Sequence, residues 1–168
     1  MGEKDIFSIK KDAQNLIKNK FWFHKDTKFT GLVILSNKKV LNSLLDGLRH
    51  LPANFLVVGE VEQETESNNI VVTKKYEANL ISGFDFIVSD NDCENLNNYL
   101  KNGVVPIISK DNYLSSLLSE FNPMKNEGNS FLYDKYNEWS IFHALTRYME
   151  NAKFPFDNRN LVKNVLKV

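Results

Sequence analysis

The acidic and polar loop Asp90-Asn91-Asp92-Cys93-Glu94 sets side chains capable of chemistry directly after an apolar run. It follows the apolar run Phe84-Asp85-Phe86-Ile87-Val88-Ser89. A helix-length gap separates it from a second apolar run, Val104-Val105-Pro106-Ile107-Ile108, entered through Gly103. In a parallel α/β sheet, loops leaving the carboxyl ends of strands are where ligands sit. The plain alternative is an acidic loop that caps the following helix. Cys93 has no histidine or basic cluster beside it to lower its pKa, so it reads as a small buried residue rather than a nucleophile. His24, His50 and His143 lie far apart without ligand spacing, and no metal site is expected. Neither a Walker loop nor a GxGxxG loop is present.

The elements that must position this loop follow from the apolar pattern. Gly31–Leu35, Asn54–Gly59, Ile70–Val72, the runs at Phe84 and Val104, and Ser130–Tyr133 read as strands buried on both faces. Helical spacing is expected from Ile9 to Ile17 with Ser8 as cap, from Val40 to Leu48, from Tyr76 to Ile81, and from Glu94 to Lys101. Further helices are expected from Leu114 to Phe121 and from Trp139 to Met149, where Trp139 and Phe142 are both expected in the core. Pro155 reads as a break before a terminal amphipathic piece at 156–168, and residues 1–21 as a leading helix. Strands alternating with helices predict right-handed crossovers and one doubly wound α/β domain over 1–168, with about six parallel strands and helices on both faces.

Composition bounds the partners. Net charge is zero, with 21 basic and 21 acidic residues, so no electrostatic footprint for nucleic acid exists. Lysine supplies nearly all the positive charge; Arg49, Arg147 and Arg159 are the arginines, leaving few bidentate phosphate ligands. One cysteine excludes an internal disulfide. No apolar run reaches membrane-spanning length and no signal-peptide core follows Met1, so no membrane contact and a cytoplasmic location are expected.

In order and spacing, several segments resemble the C-terminal domain of bacterial-type glycogen (starch) synthases, glycosyltransferases of the GT-B architecture. Lys11-x-x-Gln14-Asn15-x-x-x-Lys18-Asn19-Lys20 is similar to their Lys-rich helix, and Leu32–Ser36 to their Gly-Val-Val-Ser-Arg strand. Gly83–Ser89 is like Gly-Ala-Asp-x-x-x-x-Pro-Ser, and Asn126–Tyr133 like Gly-x-Gly-Phe-x-Phe. The resemblance implies a Rossmann-like half that binds ADP-glucose or another nucleotide sugar. It needs no cofactor, and a separate N-terminal half or another protein would be its partner.

That chemistry must stabilise charge developing on a diphosphate. Asn37 stands where the family carries Arg, and Lys39, or Lys38 beside it, is left as a point charge; the plain reading is two solvated lysines at a turn. The family's Glu-x7-Glu pair falls on Asp90 and Asn98, with Asp92 or Glu94 in the first role if the loop length differs. Gly59 and Asn129 complete the carried-over substrate-binding set. The family's Thr-Gly-Gly-Leu is replaced by Ser109-Lys110-Asp111-Asn112-Tyr113-Leu114, which loses both glycines and adds a negative charge. The expected function is therefore a diverged sugar-donor half, inactive alone. The alternative is a non-catalytic binding or interaction module that keeps the fold without the donor site, and a flavodoxin-like or receiver-like binding domain is a third reading.

Overall fold

A computed structural model describes residues 3–23, 27–61, 67–90 and 93–168. Helix α1 (Glu3–Lys20) leads into strand β1 (Phe29–Ile34), helix α2 (Lys38–Leu48), β2 (Ala53–Val58) and β3 (Ile70–Thr73). After a 3₁₀ turn at Ala78–Gly83 come β4 (Phe86–Ser89), α3 (Leu96–Lys101), β5 (Val105–Ser109) and β6 (Phe131–Tyr133). Helices α4 (Glu138–Ala152) and α5 (Pro155–Leu166) close the order. The six strands form one sheet in the order β3-β2-β1-β4-β5-β6, and every neighbouring pair is parallel. The apolar runs predicted as strands all join it. Their continuity reflects helices packed on both faces, α2 and α4 on one and α3 and α5 on the other.

The centre of the sheet depends on one missing side chain. Gly31 on β1 pairs directly with Phe86 on β4, and the Phe86 ring lies across the glycine. A Cβ at Gly31 would stand 2.0 Å from Phe86 Cε2. Phe86 then meets Phe55 edge-on at 5.8 Å and Tyr148 of α4 at 4.9 Å between centroids.

Helix α1 is fastened to the amino end of the sheet. Its Lys10 is buried and donates to the carbonyls of Ser82 (3.1 Å), Phe84 (2.9 Å), Gly103 (3.2 Å) and Asn102 (3.4 Å). One turn on, Gln14 donates to Asp85 Oδ1 at 3.1 Å, and the Thr30 amide donates to Asp85 Oδ2 at 2.8 Å. Burial lowers the Lys10 ammonium to about 8 and lifts the Asp85 carboxyl to about 6, each opposed by the other's charge.

Several local expectations are corrected. Trp139 is 77% exposed, and Phe142 is half-buried against Gly47 of α2. The buried stripe of α4 is Ile141, Ala144, Leu145, Tyr148, Met149 and Ala152. Trp139 stands about 200° around the helix from Ile141, on the opposite face. Residues 114–117 form turns rather than a helix, and Glu120 beyond them makes an isolated bridge to Ser130. Asn112 Oδ1 accepts from the Leu114 amide at 2.7 Å and Ser109 Oγ from the Asp111 amide at 3.2 Å, side-chain turns that compete with helical bonding. Helix α1 begins at Glu3, so Ser8 lies inside it, and the helix expected at Tyr76–Ile81 is the 3₁₀ turn. Pro155 is the first residue of α5, where its missing N–H costs nothing. Met1, His24 and the candidate Asp92 lie outside the described residues.

Candidate functional site

The chain leaves β1 toward β2 on one side and leaves β4 toward β5 on the other, so the order reverses between β1 and β4. In open α/β sheets this switch point opens a crevice at the carboxyl ends of the two strands. Just beyond the carboxyl end of β1 lie Ser36 and Asn37, and just beyond that of β4 lies Asp90. The sheet holds these residues in place by register, with Ile34 paired to Ser89.

Asp90 is 6% exposed, and its Oδ2 is the focus of the site. The Ser36 amide and the Ser36 hydroxyl each donate to it at 2.7 Å. The Tyr136 hydroxyl, arriving from the segment between β6 and α4, donates to the same oxygen at 2.7 Å. That hydroxyl also accepts the Asn37 amide at 3.2 Å. Burial and the Asp90 contact both push the Tyr136 phenol upward. A second tyrosine from the same end of β6, Tyr133, donates to the Ser89 carbonyl at 2.6 Å, and its own phenol is raised by burial and by Asp90. Beside them, Lys110 at the end of β5 is paired with Asp134.

Asn37 is the N-cap of α2: its side chain accepts the Val40 amide at 3.1 Å. Lys39 is exposed in the first turn of that helix. Lys38 reaches Glu60 Oε2 at 3.4 Å, linking the start of α2 to the carboxyl end of β2. Gly59 leaves β2 with φ +140°, a conformation that side chains disfavour, and the space around it is open. With Glu60, Val61, Val72, Thr73 and Lys74 it lines an open pocket of about 450 Å³ at the carboxyl ends of β2 and β3. Asn37, Lys39, Gly59 and Asp90 thus share the carboxyl end of the sheet.

Asn98 and Asn129 lie elsewhere. Asn98 is exposed on α3, and its carbonyl accepts from Asn102 at 2.7 Å. Asn129 precedes β6 at its amino end, level with Phe86 of β4 and so about 13 Å along the strands from Asp90. Its side chain clasps the Leu117 carbonyl (2.9 Å) and the Ser119 amide (3.1 Å). In the segment that replaces the family's glycines, the amides of Asp111, Asn112, Leu114 and Ser115 are bonded within the turn itself. Tyr136 and the Ser36 hydroxyl were not legible as site residues, because no spacing ties a residue after β6 to a loop after β4. Among the described residues, no His, Cys, Asp and Glu side chains group as a metal site, and no helix is long and apolar enough to cross a membrane.

No family model matches the chain, and no curated protein matches it in sequence. Its fold does match solved glycosyltransferases of GT-B architecture. The catalytic domain of starch synthase IV from Arabidopsis thaliana, bound to ADP and acarbose, superposes with a TM-score of 0.76 over 100% of this chain at 13% identity. The spinosyn forosaminyltransferase SpnP matches over 84% of the chain (TM-score 0.60, 13% identity). The glycosyltransferase SnogD from Streptomyces nogalater matches over 87% (TM-score 0.54, 15% identity). The chain spans 40% of the length of each of these three structures. At such identities the likeness is one of fold, a Rossmann-like GT-B half.

Proposed function

We propose that this chain is a diverged sugar-donor half of a GT-B glycosyltransferase. On this reading it binds a nucleotide sugar of the ADP-glucose type at the β1–β4 crevice and completes transfer only with an acceptor half supplied by another domain or chain. The observation that carries the reading is Asp90. A carboxylate leaves β4 at the switch point and faces the amide-bearing start of α2, where a sugar hydroxyl would find an acceptor and a donor together. Lys39 adds a point charge for the diphosphate, and Gly59 opens the wall beside it. Asn98 and Asn129 are bonded in their own surroundings, and the reading does not call on them.

The donor site is weakened relative to the family. Asn37 in place of a guanidinium removes a charged hydrogen bond worth roughly 1.5–3 kcal/mol, or about one to two decades of affinity. The turn at Ser109–Ser115 spends its amides internally, which removes a phosphate cradle. That observation favours the second reading, a non-catalytic binding or interaction module on the same fold.

Titrating ADP-glucose, UDP-glucose and ADP into isotopically labelled protein separates the two. Millimolar binding, with amide shifts confined to Ser36–Lys39, Gly59–Val61, Asp90 and Tyr136, supports the donor half. A spectrum that stays silent at several millimolar ligand leaves the interaction module.

A further inference from the structure

The Tyr136 hydroxyl sits between two groups that a carbohydrate would use. It donates to Asp90 Oδ2 at 2.7 Å and accepts the Asn37 amide at 3.2 Å, so one hydroxyl bridges the end of β4 and the start of α2. A sugar hydroxyl has the same capacity to donate and accept. With Tyr136 in place Asp90 is only 6% exposed, and the phenol takes up one of its acceptor positions.

The tyrosine is built to move. It lies in residues 134–137, which belong to neither strand nor helix, and it is 40% exposed, so withdrawing it opens no hole in the core. The segment is held firmly at both ends. Tyr133 is locked by its bond to Ser89, and Asn137 caps α4 by accepting the Ser140 amide at 2.9 Å. Asp90 keeps both Ser36 bonds when the phenol leaves, so the carboxylate stays positioned while one acceptor site is freed.

We propose that Tyr136 is a gate residue of the crevice: its hydroxyl holds the place of a ligand hydroxyl and swings out when a polyhydroxylated ligand takes that place. The proposal rests on the donor-half reading given above. A gate of this kind lowers affinity, because part of the binding energy is spent opening it, and it slows association.

The test compares the wild type with Y136F, titrated with ADP-glucose by amide shifts and by stopped-flow association. Removing the bond to the carboxylate should tighten binding about tenfold and speed association. A merely structural role would not tighten binding. Equal or weaker binding by Y136F overturns the gate while leaving the donor-half reading standing. No binding by either protein at several millimolar removes the donor-half reading and the gate with it. In the wild type, a fluorotyrosine label should show the Tyr136 resonance moving to a solvent-exposed position on saturation. A Tyr136 line that stays put while Asn37 and Asp90 shift would overturn the gate even if Y136F failed to fold.

Discussion

Replacing Gly31 by alanine tests the packing that sets the β1–β4 register, and with it the crevice. The added methyl would stand 2.0 Å from Phe86 Cε2 and 2.2 Å from Cζ. Carbon atoms pack at about 3.5–4.0 Å, so the ring or the strand must give by about 1.5 Å. The ring has nowhere to go, wedged against Phe55 at 5.8 Å and Tyr148 at 4.9 Å. Overpacking of this kind costs about 1–3 kcal/mol, and the confinement argues for the upper end, about 3 kcal/mol. For a chain of this size that lowers Tm by about 6–12 °C. Phe86→Ala alone should cost about 3–5 kcal/mol for the cavity it leaves. In the double variant G31A/F86A the new methyl enters that cavity, so the loss should stay within about 1 kcal/mol of F86A alone, a coupling of about 2–3 kcal/mol. Urea unfolding followed by circular dichroism, with m-values checked for constancy, measures all four proteins. Losses that simply add would show that the ring does not lie over the glycine, and the argument for this register would fail.

Two further outcomes follow from burial. The Asp85 carboxyl, lifted by burial from 3.8 to about 6, holds its proton more tightly folded than unfolded. Its contribution is therefore full below about pH 4 and lost as pH rises through about 6, by at most about 3 kcal/mol. The stability of the wild type relative to D85N should fall across that window, and a difference constant from pH 4 to 7 would refute it. Trp22 and Trp139, 78% and 77% exposed, should both be freely quenched by iodide. Trp139→Ala should change stability by less than about 0.5 kcal/mol, and a protected indole or a core-sized loss would put α4 the other way round.

The strands and their parallel pairing were legible in the sequence alone. Buried parallel strands need unbroken apolar runs, and Phe84–Ser89 and Val104–Ile108 carry that requirement in local composition. Asp90 was legible for the same reason: a carboxylate directly after a buried strand falls at the strand's carboxyl end. Helix faces were legible only in part. Leu145, Tyr148 and Met149 fit a stripe continued through Trp139 and Phe142 as well as one continued through Ile141 and Ala144. Packing of α4 on the sheet, where Tyr148 meets Phe29, Phe86 and Phe131, buries Ile141 and Ala144 and leaves Phe142 half-buried beside Gly47 of α2. The state of the site was settled by tertiary structure alone. Asp90 is bonded by Ser36 and Tyr136, 54 and 46 residues away, and Lys10 reaches carbonyls 72 to 93 residues distant. Such partners share no period or spacing along the chain. They meet because parallel crossovers bring the carboxyl ends of β1, β4 and β6 to one edge and the amino ends of β4 and β5 to the other.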